Sequence, residues 1–238
     1  MKISIIALGW LGNSLYDSLV ELEHKVVGTY FSGPKGKFNE VFFDFNDIKI
    51  PEEILNSQLI IFNLTPTSIQ KFEKFEQFIS NFSQEIIFIS STSVYGQSGK
   101  VTEQTKPEPM TKNGKLLLKC EELLLARGSS TVIRAGGLYG DDRHPGKSLS
   151  GKTEIKSANS PLNLTSQVDL INIILKCLAP SHIDVINAVN ENHPSKKEYY
   201  QDYCRRNSLS LPEYADDTTI SKQVDTIFPV FKISSALP

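Results

Sequence analysis

Cysteine is scarce in this chain. Cys120, Cys177 and Cys204 are scattered and odd in number, and no C-x-x-C pair exists. That weakens a disulfide framework and the common zinc and redox motifs, and leaves reduced, partly buried thiols of a cytoplasmic protein as the expectation. Neither sign of charge is in excess: 25 Lys and Arg stand against 27 Asp and Glu, a formal charge of -2. The basic face of a nucleic-acid binder is therefore not expected. The apolar start "ISIIALGWLG" is too short and too glycine-punctuated for a signal or a membrane span. His24, His182 and His193 stand alone, with no partner at metal-ligand spacing, so no metal site is expected. "STS" beside "GQSG" does not form a G-x-S-x-G nucleophile elbow. Repeats, linkers and low-complexity stretches are also missing.

What the chain does have is alternation. "KISIIAL", "KVVGTY", "EVFFDF", "QLIIFNL", "EIIFISS" and "STVIRAGGLYG" read as six short apolar strands. Between several of them lie amphipathic segments, such as "GNSLYDSLVELEH" and "GKLLLKCEELLLAR". Continuous apolar strands suit a sheet covered on both faces, and intervening helices suit parallel crossovers. The fold class expected is α/β: a doubly wound parallel sheet of the Rossmann kind with a small C-terminal substrate lobe. Residues 1–140 and about 164–190 form the dinucleotide-binding domain in this reading, and about 141–163 and 191–238 the lobe. The Phe72, Phe75, Phe78 and Phe82 series has helical spacing and reads as a core-facing stripe. "SKKEYYQDYCRRN" reads as a helix capped by Ser195.

The first strand runs into Ala7-Leu8-Gly9-Trp10-Leu11-Gly12, a G-x-G-x-x-G pattern with alanine in first place. Gly9 would let backbone approach a pyrophosphate, and Gly12 would let helix pack on strand. The helix N-terminus would offer free N–H groups to the phosphates. Trp10 is bulky enough to cover the phosphates or restrict entry. After the second strand no carboxylate follows; Tyr30, Ser32, Lys35 and Lys37 do. A hydroxyl and two ammonium groups favour NADP over NAD, with NAD still possible, although no arginine supplies a bidentate clamp. Lysines that simply solvate a loop are the competing account. Asp44 is a candidate partner for adenine, or an ordinary turn carboxylate.

Several stretches, in order, resemble the extended short-chain dehydrogenase/reductase family, of the NAD-dependent epimerase/dehydratase type. They are "ALGWLG", "FISSTSVYG", "GKLLLKCEELL", "VIRAGGLYGDDR", "NLTSQVDL" and "INAVNENHPSKKEYY". The resemblance implies a Rossmann sheet, NAD(P), and a small-molecule substrate, often a nucleotide-linked sugar. It implies that Ser91 bonds the substrate oxygen, that Ser93 is a second substrate hydroxyl, and that Lys115 binds the nicotinamide ribose. It also places Asn63, Thr65 and Pro66 beneath that ribose and the Leu138 main chain near the carboxamide. A homodimer through the "EELLLAR" helix is a further implication.

Three departures stand out. Thr111 occupies the tyrosine position of Y-x-x-x-K, at a short spacing from Ser91. Ser166 replaces the histidine of N-x-x-H-x-x-D, and the chain is shorter than most extended members. Candidates for the missing proton are Tyr95, Tyr139 and His144; Arg143 and Lys147 are candidates for a substrate anion. For Tyr95 and Tyr139 a structural role competes, and for His144 an exposed loop position. The functional expectation is an atypical oxidoreductase acting on a sugar-nucleotide-like or carbonyl substrate. The alternatives are a non-catalytic NAD(P)-binding or redox-sensing protein, and a protein that has kept the fold without the cofactor.

Overall fold

The structure, a computed structural model, describes residues 1–44, 49–64, 69–96, 98–140, 142–179 and 183–237. The chain runs β1 (Lys2–Ile6), α1 (Trp10–Glu21), β2 (Lys25–Tyr30), β3 (Glu40–Phe42), α2 (Glu52–Leu55), β4 (Leu59–Phe62), α3 (Ile69–Ile79), β5 (Glu85–Ser91) and β6 (Gly99–Val101). It continues through α4 (Lys112–Leu125), β7 (Ser130–Ala135), β8 (Gly137–Tyr139), α5 (Pro145–Leu149), β9 (Leu164–Ser166), α6 (Gln167–Lys176), β10 (Val185–Ala188), α7 (Lys196–Arg206) and β11 (Lys222–Val224).

Seven strands form one parallel sheet in the order β10-β7-β5-β4-β1-β2-β3. The doubly wound expectation is met. The strand order reverses between β1 and β4, which opens the crevice where such sheets bind ligands. Ile3 pairs with Val26 on one side and Leu59 on the other, so the ends of β1 and β4 lie side by side.

The apolar runs form strands because both faces are covered. Leu15 and Leu19 of α1 and Ile171 and Ile174 of α6 bury one face, and Phe75 of α3 with Leu117, Cys120 and Leu124 of α4 bury the other. The phenylalanine stripe is core-facing as read, with Phe75 edge-on to Phe62 of β4 at 4.9 Å. Ser195 caps α7 by accepting the Glu198 N–H. All three cysteines are buried and free.

Elsewhere the structure departs from the sequence reading. The sixth strand splits into β7 and β8 at Gly136, where a methyl group would lie 2.5 Å from the Asn163 carbonyl oxygen. β8 leaves the main sheet and pairs with β9. The irregular tail contains β11, which runs parallel to β6. Beyond it Phe231 and Ile233 pack into the core on the α1 and α6 face of the main sheet. Among the described residues no helix is long and apolar enough to cross a membrane, and no group of three or more His, Cys, Asp or Glu could hold a metal ion.

Candidate dinucleotide and active site

Ala7, the residue after β1, has a positive φ of +76°. An alanine is held there by its surroundings. Its N–H donates to Thr29 Oγ1 at 2.8 Å, and the Leu8 N–H donates to the Thr29 carbonyl at 2.7 Å. The turn then drives the chain into α1. A side chain on Gly12 would run into the Ala7 carbonyl oxygen, so glycine lets the helix seat against the turn. Leu11 is buried in the core beneath it. Asn63, just past β4, donates through Nδ2 to the same Ala7 carbonyl at 3.4 Å.

Gly9 differs from Gly12. It is the N-cap of α1 at an ordinary φ of -78°, and a methyl group there would meet nothing within 4 Å. No side chain caps α1, and its first turn carries no acidic residue. The N-terminus of the helix thus has no side-chain cap, and it lies at the switch point of the sheet with room beside Gly9. A pyrophosphate fits such a cradle.

Trp10 does not lie free over this turn. Its indole N–H donates to Asp142 Oδ1 at 2.7 Å, and the Arg143 guanidinium sits over its ring at 5.1 Å. Gln167 Nε2 donates to the Trp10 carbonyl at 3.0 Å. Trp10 thus joins the glycine turn to the segment after β8. Arg143, a candidate for a substrate anion, is exposed and lies over this indole.

At the end of β2, Tyr30 is half-buried against Phe42, and Ser32 is exposed. The two lysines behind the NADP reading differ. Lys35 is exposed, whereas the Lys37 ammonium is bound to both oxygens of Asp17 at 2.7 and 2.8 Å. Asp44 is half-buried just past β3. Thr65 and Pro66 lie outside the described residues.

The reactive strip begins at Ser91, the last residue of β5, whose Oγ accepts the Ser93 N–H at 3.1 Å. Ser93 is exposed on the short turn that follows. Gly114 packs against this turn from α4 and carries Thr111 and Lys115 with it; its absent side chain faces the Ser93 carbonyl. Lys115 is exposed one helical turn beyond Thr111. Thr111 is the N-cap of α4, its Oγ1 accepting the Gly114 N–H at 3.0 Å. The position expected to hold an acidic phenol holds a helix cap. Ser166 likewise caps α6, accepting the Asp169 N–H at 3.0 Å where the resemblance implies a histidine.

Burial bears on two candidates for the missing proton: it favours the structural alternative for Tyr95 and departs from the exposed loop position for His144. Tyr95 is 0% exposed and does not reach a cleft. Its hydroxyl takes Arg134 Nη1 at 2.6 Å and lies 3.1 Å from Asn187 Oδ1. Burial holds its pKa above the ordinary phenol value despite the nearby guanidinium. His144 is 8% exposed rather than a surface loop residue, and stacks on Tyr203 at 3.7 Å. Its Nδ1 accepts the Gly146 N–H at 3.1 Å, so its proton sits on Nε2 and faces the Tyr199 hydroxyl at 3.0 Å. Burial, then Lys147 and Arg206, lower its pKa to about 4. Tyr139 is buried too, and burial followed by Asp169 raises its pKa. Leu138 is half-buried, paired with Thr165 across the small sheet.

Sequence reasoning passed over the charges beneath the strip. Arg134 of β7 and Glu121 of α4 form a buried ion pair at 2.6 Å, 4% and 0% exposed. Ser90 donates to the same carboxylate. A lone arginine inside the apolar run "STVIRA" was the available signal. A cavity of about 650 Å³ opens beyond the Trp10 contact, between Tyr139, Lys147, Gln167, Tyr203 and Arg206.

No protein-family profile matches the chain. Protein YeeZ of Escherichia coli (strain K12) is 27% identical over 248 residues, covering 93% of this chain and 89% of that protein. Among solved structures, MoeE5 in complex with UDP-glucose and NAD superposes with a TM-score of 0.80 at 18% identity, covering 100% of this chain and 95% of that one. UDP-glucuronic acid 4-epimerase from Bacillus cereus, in complex with NAD, gives 0.77 at 19% identity, covering 97% and 89%. dTDP-4-dehydrorhamnose reductase from Yersinia enterocolitica gives 0.70 at 17% identity, covering 96% and 91%. The chain shares the fold of these proteins along nearly its whole length.

Proposed function

We propose that the chain binds a nicotinamide dinucleotide at the N-terminus of α1 and is an atypical oxidoreductase of the epimerase/dehydratase type. The observation that carries this reading is the open cradle at Gly9: no side-chain cap on the helix, no acidic residue in its first turn, and space where a side chain would stand. The likeness to structures holding NAD together with UDP-glucose supports a sugar-nucleotide class of substrate.

The dinucleotide would supply hydride transfer when bound. Gly9, Trp10 and Gly12 would hold its pyrophosphate end through backbone, with Asn63 beside the turn. Ser91 accepts the Ser93 N–H, which leaves its own proton to donate to a substrate oxygen. Lys115 and Ser93 would hold neighbouring hydroxyls from the exposed side of the strip. With Tyr95 buried and both His144 ring nitrogens already partnered, by the Gly146 N–H and the Tyr199 hydroxyl, water reaching the open strip would move the proton. General acid–base help from a placed side chain is worth ~100- to ~10,000-fold, and a turnover lower by that order is expected.

One observation favours a second reading, a dinucleotide-binding protein without turnover. Thr111 is a cap, and the nearby phenols and the imidazole are buried. Calorimetry with NAD and NADP, followed by hydride-transfer assays on UDP-sugars and simple carbonyls, tests both. Binding with turnover that falls in Ser91→Ala supports the enzyme. Binding without turnover on any substrate supports the second reading, and no binding overturns both.

A further inference from the structure

The loop after β2 gathers three backbone N–H groups on the carboxylate of Glu40. Gly36 adopts φ +76°, and the backbone N–H groups of Lys35, Gly36 and Lys37 converge on one point. There they donate to the Glu40 carboxylate at 2.7, 2.8 and 3.2 Å. Successive amides turned inward in this way form a concavity suited to an anion. Beside it, the Lys37 ammonium is held by both oxygens of Asp17. Glu40 is fixed from below, because it opens β3 and pairs with Gly28 of β2.

We propose that Glu40 selects NAD over NADP. The inference rests on the reading that the chain binds a nicotinamide dinucleotide. In a sheet of this order the adenine-side ribose lies at the end of β2, where a carboxylate bonds the bare 2′-hydroxyl. The sequence has no acid in that place; Glu40, level with Gly28 and two residues short of the end of β2, would supply one from the neighbouring strand. A 2′-phosphate needs the opposite surroundings, N–H groups and free cations. The three amides and the Lys37 ammonium are the groups that would meet it, and Glu40 and Asp17 occupy them. Here Glu40 fills the loop amides and Asp17 of α1 holds the Lys37 ammonium, so an entering phosphate meets a like charge and gains one exposed lysine, Lys35. Counting lysines in the sequence favours NADP; pairing them in space favours NAD.

Calorimetry of NAD and NADP against the wild-type chain, Glu40→Gln and Asp17→Asn tests this. Glutamine keeps an oxygen for the loop amides and removes the charge, and equal thermal unfolding midpoints confirm that the loop is retained. Tighter binding of NAD by the wild type is expected. The NAD-to-NADP affinity ratio should fall by about tenfold in Glu40→Gln, roughly one charge-assisted hydrogen bond. Asp17→Asn, which frees Lys37, should strengthen NADP binding and leave NAD unchanged. A wild-type preference for NADP, or a ratio unmoved in both variants, overturns the inference alone. Failure to bind either dinucleotide overturns the underlying reading as well.

Discussion

A methyl group on Gly114 would lie 2.7 Å from the carbonyl oxygen of Ser93. That approach joins the two halves of the reactive strip, the turn after β5 and the start of α4. It seats the start of α4, Lys115 included, on the turn that carries Ser93, although 21 residues of chain lie between Ser93 and Lys115. Gly114→Ala should therefore separate them. Alanine favours a helix by up to ~1 kcal/mol over glycine, while forcing a side chain into packed backbone costs ~1–3 kcal/mol. A net loss of about 1 kcal/mol in urea unfolding is expected, with a drop in any hydride-transfer rate. An unchanged rate with lowered stability would mean that the approach only packs the helix.

Much of the sheet was legible because each strand is a continuous apolar run, and the glycine turn because its spacing is local. The small sheets were not. β6 and β11 have three residues each, are partly polar, and lie more than 100 residues apart in sequence. α5 has five residues, too few to display a helical period. Burial of polar side chains was hidden for another reason. Tyr95 is enclosed by Arg134 and Asn187, 39 and 92 residues away, and His144 by Tyr199, 55 away. Nothing beside them in sequence announces those partners. The Glu40 cap spans only a few residues, yet it depends on a backbone turn at Gly36 that composition does not encode.

Gly9 and Gly12 should respond in opposite ways to substitution. Gly12→Ala drives a side chain into the Ala7 carbonyl, with an expected cost of ~1–3 kcal/mol in stability. Gly9→Ser places its side chain in open space and gives α1 the cap that it lacks, so stability should hold or rise by a few tenths of a kcal/mol. The serine oxygen would take the same N–H groups that a pyrophosphate needs. Dinucleotide affinity should fall about tenfold or more in calorimetry. Undiminished affinity in Gly9→Ser would move the phosphates away from α1.

Thr111 tests whether the tyrosine position retains any chemistry. As a helix cap it should lose about 1 kcal/mol of stability on substitution by alanine and recover it as aspartate. Turnover per folded molecule should be the same in both variants, because neither replaces an acid that was present. If Thr111→Ala abolishes turnover while its unfolding midpoint stays in place, the hydroxyl is part of the reaction and the cap is incidental.

His144 gives the chain a pH dependence with a defined sign. In the unfolded chain the imidazole takes a proton near pH 6.5. In the folded chain burial, with Lys147 and Arg206 nearby, holds that step down to about 4. Between those values the unfolded state binds the extra proton, so stability is full above about pH 6.5 and is lost as the pH falls toward 4. The loss attributable to this residue should be on the order of 2 kcal/mol. Asparagine at this position can still accept the Gly146 N–H but does not titrate. Urea midpoints taken between pH 7.5 and 5 should therefore slope for the wild type and flatten in His144→Asn. Parallel slopes for the two proteins would assign the acid sensitivity to carboxylates elsewhere and leave the buried stack of His144 on Tyr203 indifferent to pH.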